Sequence, residues 1–287
     1  MNRPIISSLA SVGAGAMASA LLTAWVREGL VRAENVVAID ILASRRQALE
    51  EELGVRSTDS IAEGVTGAQV VLLAIKPQHV TDEVLSEMRA ALSPGALVIS
   101  IAAGIPLAFL EEGLGPDVPV VRVMPNTPCL VQASATGLSP GSRVSSAQTE
   151  VALSLFQTVG KAFVLEERLL DAVTGLSGSG PAYVYLVIEA LADGGVAAGL
   201  PRDVSLELAA QTVLGAARMV VETKKHPTLL RVAVTSPAGT TAAGVHVLEK
   251  GAVRGQLIDA VLAATARSRE LGSVASRGRH SCRKDNT

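Results

Sequence analysis

A chain of 287 residues with 48% hydrophobic content and a mean hydropathy of +0.39 can bury a large core, as one large domain or two smaller ones. Its 25 Lys+Arg against 27 Asp+Glu leave a net charge of −2, and only 2% of residues are aromatic. That excludes both an electrostatic footprint for nucleic acid or anionic membrane and a base-stacking platform. Two cysteines, Cys129 and Cys282, make no disulfide framework, and reduced thiols in a cytoplasmic protein are expected. His79, His226, His246 and His280 never fall at zinc-ligand spacing, so no metal is expected.

Residues 5–26 carry no charge and follow Arg3, and Ala18-Ser19-Ala20 resembles a small-residue cleavage site, so a signal peptide has to be weighed. Ser7, Ser8, Ser11, Gly13 and Gly15 interrupt the run, however, and a membrane-spanning helix wants about 20 mostly apolar residues. A strand over 5–12, a tight turn at Gly13-Ala14-Gly15 and a helix over 16–28 followed by Gly29 explain more of the letters. The turn, Gly13-Ala14-Gly15-Ala16-Met17-Ala18, reads G-x-G-x-x-A. Gly13 permits the bend, Gly15 lets the backbone approach a pyrophosphate, and Ala18 allows helix and strand to pack closely. Free N–H groups at the helix start then face the phosphates. A second apolar strand, 36–39, ends in Asp40, roughly 20 residues past the glycines, where an acid accepts the ribose hydroxyls of NAD. The other role open to Asp40 is to cap the helix expected over 42–53.

The alternation continues. Residues 70–75 form a continuous apolar run that ends at Lys76-Pro77, as expected of a strand buried on both faces. A helix follows over 81–92, a strand over 97–101 ending at Ala102-Ala103-Gly104, a short helix over 107–114, and a strand over 118–124 ending at Pro125-Asn126-Thr127-Pro128. Strand–helix alternation with short turns predicts a doubly wound parallel sheet, with ligands at the carboxyl ends of its strands. From about Ser145 the pattern turns helical and strands are expected to stop. Helices are predicted over 147–159, 167–174, 181–199, 201–224 and 240–271, the last broken near Gly251. The helix from Pro181 carries so few charges that it must be buried, here against another subunit. Residues 273–287 read as a frayed basic tail.

Two later segments exceed what packing needs. Gly175-Leu176-Ser177-Gly178-Ser179-Gly180-Pro181 puts a Gly/Ser run ahead of a Pro at a helix start, and serves either as an inter-helix loop or as a ligand loop. Ser236-Pro237-Ala238-Gly239-Thr240-Thr241 precedes the final helix, where successive N–H groups make an anion nest and two threonines add hydroxyls.

The stretches GLSGSGPAY, ALADGGVAAGLPR and HP…TSPAGTT…HVLEKG…R together resemble pyrroline-5-carboxylate reductase, and the resemblance covers about 12–271. It implies an α/β fold: an N-terminal Rossmann-type doubly wound parallel sheet followed by an all-α C-terminal dimerisation domain. The boundaries expected are 1–166 for the dinucleotide-binding domain, 167–272 for the helical substrate and dimerisation domain, and 273–287 for a flexible basic tail. It further implies a homodimer that gathers into a larger homo-oligomer, with each active site built from one subunit's cofactor domain and its partner's helices. By motif, Val12, Gly13, Ala14, Gly15, Ala16 and Met17 would hold the cofactor pyrophosphate. Ile75, Lys76, Pro77 and Ala103 would line its nicotinamide half, with Asn126 in the same cleft. Glu167, Ser236, Gly239, Thr240 and Thr241 match positions around a cyclic imino acid, and Thr241 matches the hydroxyl near the ring nitrogen.

The residue types suit hydride transfer to a C=N bond. A protonated imine is already electrophilic, so neither a metal nor a strong base is required, and the protein has to orient two reactants. Two departures from the family pattern stand out. Ala238 occupies a position where glycine is usual, so a positive φ there would strain the nest. Asp40 would repel a 2′-phosphate, which favours NADH over NADPH, although Arg45 and Arg46 lie close enough to reach round. A β-hydroxyacid dehydrogenase would need an Asn in its helical half, and Asn occurs only at 2, 35, 126 and 286. A reductase of another cyclic imine and a non-catalytic dinucleotide sensor are the alternatives that remain.

Overall fold

The computed structural model describes residues 5–282. Eight strands form one sheet: β1 (Leu9–Val12), β2 (Val36–Ile39), β3 (Arg56–Thr58), β4 (Val70–Leu73), β5 (Leu97–Ser100), β6 (Val120–Met124), β7 (Ser134–Pro140) and β8 (Gly160–Val164). Their spatial order is β3-β2-β1-β4-β5-β6-β7-β8. The first six run parallel, β7 is antiparallel to β6, and β8 is parallel to β7. Helices α1 (Ala16–Arg27), α2 (Ala43–Leu53), α3 (Ile61–Val65), α4 (Asp82–Ala91), α5 (Leu107–Leu114) and α6 (Ser146–Gln157) connect the strands.

Side chains alternate across this sheet, as a two-residue period requires. Leu9, Val70, Leu72, Leu97 and Ile99 join a core with α1 and α6; Ala10, Val12, Val71, Leu73 and Val98 join a second core with α4 and α5. Continuous apolar strands therefore bury both faces, as in other helix-covered parallel sheets. Trp25 fastens α1 to α6: its indole N–H donates to the Leu155 carbonyl at 2.7 Å, and Phe156 meets it edge-on at 5.7 Å.

The chain divides into two compact units, one of residues 1–178 with 263–287 and one of residues 179–262. The first unit also holds α7 (Leu170–Val173), which runs directly into a π-helical turn, Thr174–Gly178. The second holds α8 (Gly180–Ala197), α9 (Arg202–Thr223), α10 (Pro227–Ala233) and α11 (Thr240–Lys250). Helix α12 (Val253–Cys282) has its first residues in the second unit and the remainder in the first.

Several expectations need correction. Strands do not stop at Ser145, because β8 lies at the sheet edge; its apolar run is short, and Phe163 and Val164 are exposed. β7 was not expected either, since it buries Ser134, Thr136 and Ser139 beside a single large apolar residue, Leu138. The Ser134 hydroxyl lies 2.9 Å from that of Thr136 and donates to Asn126 Oδ1 at 3.0 Å, so burial is compensated by hydrogen bonds. β1 is shorter than 5–12, because Ser7 and Ser8 bond to Gln69 and Gly67. The Gly/Ser stretch from Gly175 is a π-turn, not a loop. The presumed tail is helical as far as Cys282, with no proline to end α12 earlier; residues 283–287 lie outside those described.

In the second unit, α8 packs on α9 through small residues. The Ser205 hydroxyl donates to the Ala192 carbonyl at 2.6 Å, and Gly195 sits against the same side chain. Beyond these contacts the helices expose apolar side chains, including Tyr185, Leu186, Leu206, Leu208 and Leu214. α9 is long and apolar enough by composition to cross a membrane, yet it carries Glu207, Arg218 and Glu222 along its length.

Candidate active site

The carboxyl ends of the parallel strands bring the predicted cofactor residues to one rim. The strand order reverses at β1, which has β2 on one side and β4 on the other, so a crevice opens beyond these three ends. Gly13, Asp40 and Ile75 lie just past β1, β2 and β4, and Ala103 and Asn126 follow β5 and β6.

Gly13 has φ +106°, and a Cβ there would lie 2.7 Å from the Ala74 carbonyl oxygen. Only glycine satisfies both demands. Gly15 is different: it is the N-cap of α1 with φ −75°, and a Cβ would meet nothing within 4 Å. The chain leaves open space at Gly15, which a phosphate group would fill. No side chain caps α1, and its first amides, from Ala16 to Ala18, have no acceptor among the described residues. This cradle of free N–H groups and a positive helix terminus fits a dinucleotide pyrophosphate. Val12 and Ala14 are buried beneath it, while Ala16 is exposed and Met17 half-buried.

Asp40 bonds to two backbone amides. Its Oδ1 accepts from the amide of Leu42, the N-cap residue of α2, at 2.9 Å, and its Oδ2 accepts from the Ala14 amide at 2.9 Å. Arg45 lies 3.4 Å from Oδ2, and Arg46 donates to the Asp40 carbonyl at 2.7 Å while pairing with Asp59. Burial alone would raise the Asp40 pKa, but the Leu42 and Ala14 amides and Arg45 outweigh it and hold the carboxyl below its ordinary value. Lys76 is exposed, Ile75 and Pro77 are half-buried, and Ala103 is exposed at the tip of its loop.

Asn126 is buried and its side chain is committed within the protein. Its Nδ2 donates to the Ser177 carbonyl at 2.9 Å, and its Oδ1 accepts from the Ala135 amide and the Ser134 hydroxyl, each at 3.0 Å. It joins the end of β6 to β7 and to the π-turn. Glu167 is likewise engaged: its Oε1 accepts from the Leu107 amide at 2.7 Å and from Arg122 at 3.0 Å. Sequence patterns did not single out Arg122, because a lone Arg in a buried strand has no local signature.

In the second unit, Ser236 to Gly239 form a β-turn closed by the Gly239 amide and the Ser236 carbonyl at 3.1 Å. Pro237 is its second residue and Ala238, with φ +56°, its third, the pattern of a type II turn. The strain foreseen for alanine is therefore present. A side chain at Gly239 would collide with the Ser236 hydroxyl. Gly239 is the N-cap of α11 with no side-chain cap, so the first amides of Thr240, Thr241 and Ala242 have no acceptor among the described residues. These amides with the Thr240 and Thr241 hydroxyls fit a small carboxylate. The neighbouring motif residues have structural duties. His226 Nδ1 accepts from the Thr228 amide and caps α10, and Glu249 pairs with both Arg231 and Arg254, tying α10 to α11 and α12. Among the described residues no cluster of His, Cys, Asp and Glu could hold a metal.

A mainly parallel sheet whose strand order reverses at β1, with a glycine turn and an acid at the strand ends there, is the fold of an NAD(P)-dependent oxidoreductase. Family profiles agree: residues 8–104 match "NADP oxidoreductase coenzyme F420-dependent" and residues 167–271 match "Pyrroline-5-carboxylate reductase dimerisation". The chain is 46% identical to a pyrroline-5-carboxylate reductase of Methanosarcina acetivorans over 91% of its length and 96% of the relative's. It is 47% identical to that of Pisum sativum, over 93% and 98%. Among solved structures, the Coxiella burnetii pyrroline-5-carboxylate reductase superposes with a TM-score of 0.87 at 36% identity, covering 93% of this chain and 98% of that one. A Plasmodium falciparum pyrroline carboxylate reductase with NADP bound gives 0.83 at 32%, covering 92% and 98%. The chain belongs to the pyrroline-5-carboxylate reductase family, NAD(P)H-dependent oxidoreductases of the final step of proline biosynthesis. Its residues 167–271 match that family's dimerisation domain, so the protein is a homo-oligomer.

Proposed function

We propose that this reductase prefers NADH, binds it through residues 12–17, Asp40, residues 75–77 and Ala103, and holds its imino-acid substrate at Ser236, Gly239, Thr240 and Thr241. The observation that carries the cofactor preference is the Asp40 carboxylate at the end of β2. It is held ionised by two amides, with Arg45 and Arg46 both drawn into contacts with acids or with the Asp40 carbonyl. An ionised acid there repels a 2′-phosphate, and arginines already paired offer it little compensation.

When bound, a reduced nicotinamide would supply a hydride to the imine carbon of the protonated ring (the carbon that becomes C5 of proline), whose C=N bond becomes a single bond while the nitrogen retains its proton. The chain's own part is to orient and to exclude. The α11 amides receive the substrate carboxylate, and the Thr241 hydroxyl hydrogen-bonds the ring nitrogen, where it can relay a proton to or from water. Asn126 takes a supporting place, since its side-chain groups are used within the protein. We further infer a cytoplasmic enzyme whose dimers gather into a larger ring; the free, buried Cys129 suits a reducing compartment.

The test is oxidation of NADH and NADPH by the purified protein with pyrroline-5-carboxylate, in parallel. A higher kcat/KM with NADH is expected, and an NADPH preference would overturn the assignment of Asp40. Binding of either cofactor without turnover would mean that the substrate residues are misassigned.

A further inference from the structure

Arg122 is a charged side chain buried in the sheet, only 8% exposed, on β6 in register with Ser100 at the end of β5. A buried guanidinium needs counterions. It has two: Nη1 donates to Glu167 Oε1 at 3.0 Å, and Nη2 lies 3.7 Å from Asp171 Oδ1. Each acid does a second task. Glu167 Oε1 also accepts from the amide of Leu107, the first residue of α5, where Pro106 stands at the N-cap without a side-chain acceptor. The carboxylate thus caps α5 from 60 residues away. Asp171 Oδ1 accepts from the buried Ser268 hydroxyl of α12 at 2.7 Å. One turn on, α12 meets the loop after β5 so closely that a Cβ at Gly272 would lie 2.8 Å from the Gly104 carbonyl oxygen.

Loop 102–106 is therefore fixed at its exit by Glu167 and in its middle by α12, and both restraints converge on Arg122. Ala103 is the exposed tip of that loop, on the cofactor rim.

We propose that Arg122 is a positioning residue for hydride transfer: through Glu167 and Asp171 it holds loop 102–106, and so Ala103, where the nicotinamide end of the cofactor has to rest. Arg122 touches neither reactant, and Glu167 acts on the loop instead of on the substrate. The proposal rests on the assignment of Ala103 to the cofactor.

The test compares Glu167→Ala, Glu167→Gln, Arg122→Lys and Ala103→Leu in the full-length enzyme. The readouts are the NADH Kd from fluorescence, the KM for pyrroline-5-carboxylate, and exchange of the Leu107 amide without cofactor. Glu167→Ala should weaken NADH binding by about fivefold or more and speed Leu107 exchange at least about tenfold, with the substrate KM unchanged. Glu167→Gln, which keeps an acceptor for both donors, should restore both values. Arg122→Lys, with a single point charge for two acids, should weaken NADH binding in the same direction. If Ala103→Leu weakens NADH binding but the Glu167→Ala and Arg122→Lys variants do not, the positioning role falls and the cofactor assignment stands. If none of the variants changes it, the assignment of Ala103 falls and the proposal with it. A raised substrate KM in Glu167→Ala at unchanged NADH Kd would return Glu167 to direct substrate contact and overturn the proposal.

Discussion

The amide of Ala14 donates to Asp40 Oδ2 across 2.9 Å, tying the phosphate-binding turn to the end of β2 over 26 residues of sequence. One carboxylate thereby shapes the glycine turn and, on the proposed assignment, sets the charge that a ribose would meet. Replacing it with serine removes the repulsion of a 2′-phosphate and frees Arg45. The NADH-to-NADPH ratio of kcat/KM in Asp40→Ser is expected to fall at least about tenfold, about 1.4 kcal/mol of discrimination. Steady-state kinetics with both cofactors check it.

The same carboxyl has its pKa depressed in the folded chain, below the ordinary 3.8. Its contribution to stability is therefore present above that value and is lost as pH falls through the lower folded-state value. NADH binding should weaken in the same acid range, because protonation releases the Ala14 amide. The Asp40→Asn variant should lack this part of the pH profile, which unfolding midpoints and binding of the acid-stable oxidised cofactor, followed as pH falls past 3.8, would resolve.

The two glycines of the turn should fail differently. Gly13→Ala forces a Cβ onto the Ala74 carbonyl at a positive φ, and strain and overpacking together should cost about 2 kcal/mol or more. Gly15→Ala meets no protein atom and should change stability by less than about 1 kcal/mol while weakening NADH binding severalfold. Thermal unfolding beside a binding titration separates the two.

Ala238 holds φ +56° in the turn before α11. Left-handed backbone costs an L-residue about 1–2 kcal/mol, whereas glycine adds about 0.4–1 kcal/mol of unfolded-chain entropy, so strain prevails. Ala238→Gly should stabilise the protein by about 0.5–1 kcal/mol, read as a higher unfolding midpoint in calorimetry.

Thr241→Ala removes a hydroxyl from the first turn of α11 without touching the core. Folding should be normal, with turnover reduced at least severalfold, as expected from losing a hydrogen bond worth about 1–3 kcal/mol. Wild-type kinetics in this variant would remove Thr241 from the mechanism.

Much of the cofactor unit was legible in the sequence because its strands announce themselves through local patterns. The apolar run at β4 and the G-x-G-x-x-A turn each sit within a few residues. β7 had no such signature, since buried Ser134 and Thr136 satisfy their hydroxyls against each other and against Asn126, eight residues from Ser134. Glu167 was singled out by motif, but its bonds to Leu107 and Arg122, 60 and 45 residues away, were beyond reach.

The sequence by itself determined the strand–helix alternation, the obligatory glycine at 13, the tight bend ahead of α11 and the family. All of these depend on neighbours in the chain, through backbone sterics and side-chain period. Only the tertiary structure decided that β7 runs against β6, that Ala238 lies in the left-handed region, and that Asp40 and Arg122 bind distant backbone and side-chain groups. Those facts arise from which buried polar groups find each other across the fold, and pairing of that kind leaves no periodic trace in the chain.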